Sequence, residues 1–199
     1  YRLANLPGPF TRTTSQEDAY KMKAITGLVI GAFALTAVSA TTPAPTHAQG
    51  MQKLMKEIEA KVENKKHAEL IAKRRGAMRA MSGSMKQIVG YLKTNKGGPA
   101  DVARNAARLS QIAKNLPDLF PAGTGLARYP GVTGAKPNIF ENGKADFTKA
   151  AMTLASLADG LAKAASTSGA GKAEIGKAFG PVGKMGCGGC HKDYRQKLN

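Results

Sequence analysis

Cys187-Gly188-Gly189-Cys190-His191 lies near the end of a 199-residue chain and contains both of its cysteines. Two thiols separated by two residues, with an imidazole directly after them, is the spacing at which a haem is attached through two thioether bonds while the histidine binds the iron. The Gly-Gly between the thiols leaves the porphyrin edge unobstructed. In a helix over residues 185–197, Cys187, Cys190 and His191 fall at i, i+3 and i+4 and share one face.

Other chemistries fit the motif less well. A thioredoxin-like Cys-x-x-Cys opens a helix that follows a strand, and no run of alternating apolar residues supplies a sheet. A structural zinc site needs four ligands, and beyond these two cysteines and His191 only His47 and His67 remain. A disulfide across so short a loop stabilises little. One haem c, covalently attached through Cys187 and Cys190 with His191 on the iron, is therefore expected.

The other end of the chain reads as export machinery. The first methionine is Met22, followed by Lys23, an apolar run from Ala24 to Ala40, and Thr46-His47-Ala48 before Gln49. This pattern matches a secretory signal peptide over 22–48, cleaved near Ala48, and makes residues 1–21 an over-extended translation outside the fold. As a membrane anchor the run is marginal in length and is interrupted by Gly27 and Gly31. Export to an oxidising compartment suits a chain whose two cysteines are both committed to a cofactor, and the periplasm is the expected location.

Setting aside residues 1–48 leaves 151 residues, the size of one domain with a real core. It also removes four basic side chains (Arg2, Arg12, Lys21, Lys23) and two acidic ones (Glu17, Asp18), so the formal charge falls from +17 to +15. A charge so positive suits redox partner proteins with acidic docking surfaces, or an anionic membrane surface. Nucleic acid is not expected: the lysines are spread along the chain, and an exported protein has little opportunity to meet it.

From there the pattern is helical. Met51, Met55, Ile58 and Val62 recur at helical spacing in a charged segment, 49–66, which reads as a solvated helical extension, with Asn64 placed to cap the next helix. Residues 67–199 form the main domain. Its first helix runs from Ala68 to Lys93 on a stripe of Leu70, Ile71, Met78, Met81, Met85, Ile88 and Leu92. A second runs from Ala100 to Leu116 and stops at Pro117. Residues 117–143, with four prolines and five glycines, make a long crossover. A third helix covers Lys144 to Ser166. A fourth runs from Lys172 to Lys197, with a kink or fresh start expected at Gly180-Pro181, since an interior proline costs about 3 kcal/mol. The expected fold is all-α, an antiparallel four-helix bundle with one long crossover loop between the second and third helices. His67 reads as solvent-exposed and Tyr194 as core.

The haem motif followed by Tyr194-Arg195, together with Leu116-Pro117-Asp118-Leu119-Phe120-Pro121, Lys136-Pro137-Asn138-Ile139-Phe140 and the run from Arg74 to Met85, resembles the class II cytochromes c, which comprise cytochrome c′ and cytochrome c-556. The resemblance covers residues 68–197; segments 49–66 and 125–134 depart from it. It implies a sixth iron ligand on the first bundle helix in the c-556 branch, four residues after a basic position. Arg74-Arg75-Gly76-Ala77-Met78 matches that pattern, so Met78 is the expected ligand opposite His191. Arg74 is then placed either to pair with a haem propionate or on a solvated helix face. His191 with Met78 implies a low-spin, one-electron carrier. His191 alone implies a five-coordinate cytochrome c′ open to nitric oxide or carbon monoxide. No acid-base constellation suggests an enzyme, and the sequence leaves open whether the bundle forms a homodimer.

Overall fold

In a computed structural model, residues 47–141 and 143–198 are described. The expected leader and the segment before it lie outside them, apart from His47 and Ala48. The helices are α1 (His47–Glu59), α2 (Lys65–Thr94), α3 (Pro99–Asn115), α4 (Lys144–Ser166), α5 (Lys172–Pro181) and α6 (Cys190–Tyr194). Between α5 and α6 the chain is π-helical from Val182 to Gly189. No strand occurs among the described residues. The bundle consists of α2, α3, α4 and the composite fourth helix formed by α5, the π segment and α6.

Local chemistry sets the boundaries. The Asn64 side chain accepts a hydrogen bond from the His67 N–H at 3.0 Å and caps α2. At the other end Asn95 adopts the left-handed region (φ 56°), and its N–H and that of Lys96 close on the carbonyls of Tyr91 and Gly90. Helix α3 starts on Pro99, with the Gly98 N–H donating to the Asp101 carboxylate at 2.9 Å. It ends where Pro117 opens a short 3-10 turn. Alanines at 106, 113, 151, 155 and 158, all buried, let α3 and α4 approach closely, and these two helices form the most extensively packed pair.

The composite fourth helix changes register where a kink or fresh start was expected, at Gly180-Pro181. Pro181 has no N–H to donate, so the α ladder cannot run through it. It is the last residue of α5, and the wider π register begins at Val182. The helical chain then ends at Tyr194, not Lys197, because Arg195 is extended (φ −116°, ψ 131°) and pairs antiparallel with Ala135 of the crossover.

The segment 49–66 is not a solvated extension. Leu54, Ile58 and Val62 are 1–2% exposed and form a second core with Ala68, Ile71 and Ala72 of α2 and Val132 of the crossover, flanked by Met51, Met55 and Tyr129. Leu54 completes a stripe that the sequence reading had assigned to Met51 and Met55, which are only half-buried. His67 is half-buried, not exposed. Its Nδ1 lies 2.8 Å from the Tyr129 hydroxyl, and its ring meets the Tyr129 ring edge-on at 5.8 Å.

Arg74 overturns the expectation of a solvated helix face. Its side chain is 3% exposed and enters the crossover. Nη1 donates to the Leu119 carbonyl and the Thr124 hydroxyl, and Nη2 to the Thr124 carbonyl at 2.7 Å and the Thr133 hydroxyl at 2.8 Å. The guanidinium also lies over the Phe120 ring, 4.5 Å from its centroid. Burial pushes its pKa down to about 10, so it stays charged at neutral pH. Lys144, at the start of α4, closes the base of the loop by donating to the carbonyls of Pro117 and Phe120.

Two stability predictions follow from these contacts. Leu54→Ala should cost about 2–4 kcal/mol through lost burial and the cavity left behind, read as a lower denaturation midpoint of the full chain; an unchanged midpoint would mean that α1 is not part of the cooperative fold. Arg74→Gln should cost roughly 3–5 kcal/mol, because acceptors buried for a cation lose their donor. Limited proteolysis should then find new cleavage within residues 117–143.

Candidate haem site

The motif is divided between two kinds of helix. Cys187 lies in the π segment, and Cys190 and His191 open α6. Short π turns occur mostly at functional sites. Here the segment lies against α4, with Gly186 making the closest approach: a Cβ there would fall 2.7 Å from Leu154 Cδ1. Gly180, Gly183 and Gly189 differ, since a Cβ on any of them would meet nothing within 4 Å. The bare backbone at these positions serves no packing within the protein and suits a flat group lying alongside.

Helix α6 has only five residues, too few to hold its own shape, and its last carbonyls need partners. The crossover supplies them. Lys136 Nζ donates to the Lys192 carbonyl at 2.8 Å, Asn138 Nδ2 to the Asp193 carbonyl at 3.3 Å, and the Lys136 N–H to the Tyr194 carbonyl at 3.1 Å. The Gln196 N–H returns to the Gly134 carbonyl at 2.8 Å, an approach that a Cβ on residue 134 would block. Tyr194 meets Phe147 edge-on at 5.2 Å, and Phe147 packs on Phe120 at 4.6 Å. The ring under Arg74 is thus linked by contact to the helix bearing His191.

The donor chemistry fits haem better than the competing readings. Burial raises the pKa of Cys187. It pushes the Cys190 thiol up to about 11, with Cys187 and Asp193 adding to the effect. A redox-active Cys-x-x-Cys depends on the opposite, a thiolate stabilised near neutrality. Among the described residues no three His, Cys, Asp or Glu side chains converge as ligands of one ion, so Cys187, Cys190 and His191 do not form a zinc cage. They suit a division of labour in which the thiols bind the macrocycle edge and the imidazole the metal. Partial burial, and secondarily the Arg195 guanidinium, lower the His191 pKa below its ordinary value, which keeps a ring-nitrogen lone pair available at neutral pH.

On α2, Met81 is 7% exposed and belongs to the core. Met78 and Met85 are half-buried and border the same apolar cluster as Cys187, Cys190 and Phe179. Met185 is 56% exposed. Arg74 has four of its donor contacts on the crossover, so its hydrogen-bonding capacity is largely spent there and not on a carboxylate. The residues that sequence reasoning missed are Lys136, Asn138, Thr124 and Thr133. The only hint was the Lys136-Pro137-Asn138 landmark, which carried no role.

Residues 69–195 match the family described as cytochrome C′. Cytochrome c′ of Pararhodospirillum photometricum is 34% identical over 125 residues, covering 62% of this chain and 93% of that protein. Cytochrome c-554 of Cereibacter sphaeroides is 33% identical over 130 residues, covering 64% and 93%. The solved structure of oxidised R. palustris cytochrome c556 superposes with a TM-score of 0.57 at 26% identity, covering 65% of this chain and 98% of that one. Such proteins are haem electron carriers or gas binders. With its all-helical bundle and paired thiols near the C-terminus, the chain belongs to the class II cytochromes c, a family defined by covalently bound haem c.

Proposed function

We propose that this protein is a periplasmic one-electron carrier of the c-556 type, in which His191 and Met78 hold a low-spin haem iron from opposite sides. The observation that carries the reading is the position of Met78. It lies one helical turn beyond the buried Arg74, half-buried beside the apolar cluster that Cys187 and Cys190 also border. Met81 is absorbed into the core, which leaves Met78 and Met85 as the half-buried thioethers of α2, and the resemblance to c-556 selects the first.

The bound haem supplies a one-electron iron couple. Cys187 and Cys190 tether it so that it cannot dissociate between partners. His191 presents a neutral imidazole, and the Met78 thioether is a soft ligand that favours the reduced state and raises the potential. The crossover keeps α6 fixed through Lys136 and Asn138, so little reorganisation accompanies a change of charge. Lys184 and Lys192, both exposed beside the motif, suit an acidic docking surface on the redox partner, whose encounter they accelerate and make sensitive to salt.

Absorption spectra test the axial pair. The haem-loaded protein should show low-spin bands in both oxidation states and no carbon monoxide adduct on the ferrous form. Met78→Ala should give high-spin bands, carbon monoxide binding and a lower reduction potential, whereas Met85→Leu should keep the low-spin spectrum. High-spin bands in the unaltered protein would instead establish a five-coordinate, gas-binding cytochrome c′.

A further inference from the structure

A groove of about 330 Å³ lies between α2 and α3 and shares no residue with the haem motif. Its floor is the small-residue face of α2: Gly76, Ala80 and Gly83, with a Cβ on Gly83 meeting nothing within 4 Å. Met51 of α1 closes one end, its sulfur so placed that a Cβ on Gly76 would fall 2.6 Å away. The remaining walls are Arg79 and Gln87 from α2 and Asn105 and Arg108 from α3. No acidic side chain lines it.

Two features of the walls bear on what the groove could hold. Both arginines are exposed, and among the described residues neither guanidinium has a hydrogen bond, ion pair or ring contact. The acidic residues of the same helices are taken up elsewhere, Glu69 by Lys73 and Asp101 by Arg104. The second feature is Ser84. It borders the groove and is 2% exposed, yet its hydroxyl has no hydrogen-bond partner. A buried hydroxyl without a partner is a standing cost, and a serine in a helix ordinarily avoids it by bonding back to the preceding turn.

We infer that this groove is a binding site for a small oxyanion, a carboxylate or phosphate, held between the Arg79 and Arg108 guanidiniums over the small residues of the α2 face. Guanidinium forks match the geometry of such groups. The glycines of the floor let the ligand approach the helix backbone, and the two amides satisfy the remainder of a polar molecule. Because α1 supplies the end wall, the site is formed in part by the segment that departs from the family pattern. It is separate from the haem and does not depend on which axial ligands the iron has.

Titration of the haem-loaded full chain with inorganic phosphate and with succinate, at constant ionic strength in a chloride background, tests this. Saturable binding is expected, with amide shifts at residues 79–87 and 105–108 in nuclear magnetic resonance spectra. Arg79→Gln and Arg108→Gln should each weaken it about tenfold, the loss of one charge-assisted contact. Lys86→Gln, on the exposed side of α2 outside the groove, should leave it unchanged. The inference is overturned if neither anion saturates, if the double arginine variant binds undiminished, or if Lys86→Gln weakens binding as much as the arginine variants do. Binding to phosphatidylglycerol vesicles without binding of the free anions would also overturn it, by assigning the arginines to a membrane surface.

Discussion

A buried guanidinium without a carboxylate organises this molecule. Arg74 gives up its hydration to enter the crossover, and no acidic side chain is among its partners there. Taking a charge out of water costs several kcal/mol, and the compensation comes from two carbonyls, two hydroxyls and the face of Phe120. Those acceptors belong to residues 119–133, so they converge only when the loop is folded. The loop in turn has no regular hydrogen-bond ladder of its own and gains its order from the charge at its centre. The two are therefore stable together or not at all, which accounts for a long loop rich in proline and glycine holding one conformation.

From that point order passes to the haem motif through contact. Phe120, under the guanidinium, packs on Phe147, and Phe147 on Tyr194. The far side of the same loop supplies Lys136 and Asn138 to the carbonyls at the end of α6. A five-residue helix would fray if left alone, yet it bears the imidazole on which the metal chemistry depends. The crossover thus does more than connect the second and third bundle helices. It supplies the carbonyls at the end of the last one with the partners that further helical turns would have given.

How much of this was legible in the sequence depended on whether the relevant interaction was local. Asn64 as a cap, Pro117 as a stop and Lys144–Ser166 as a helix are decided within a few residues, and the structure places them as periodicity and capping chemistry predict. The haem motif is likewise a short-range signal. Arg74 was legible as a position and not as a role, because its acceptors lie 45 to 59 residues away. In a stretch as charged as Lys73-Arg74-Arg75 nothing marks one cation for burial. The end of the last helix was misjudged for a related reason. Composition allows the helix to continue to Lys197, and what ends it at Tyr194 is pairing with Gly134 to Lys136, a contact between segments about sixty residues apart.

The two stretches that the sequence reading set apart from the family resemblance, 49–66 and 125–134, are one feature in three dimensions. Leu54, Ile58 and Val62 come from the first, Tyr129 and Val132 from the second, and they meet over Ala68, Ile71 and Ala72 of α2. Each covers the other: a helix with an exposed Leu-Ile-Val stripe invites aggregation, and the loop would otherwise leave Val132 uncovered. Together they bury each other, with the His67–Tyr129 pair at their margin. Closure entropy rises only slowly with loop length, and the product of the long loop and α1 is a second core beside the bundle. The α2 residues of that core, Ile71 and Ala72, lie about two turns before Met78 along the helix. Helix α1 and the crossover thus wall one flank of α2 together, and Met51 at the edge of that wall packs its sulfur against Gly76.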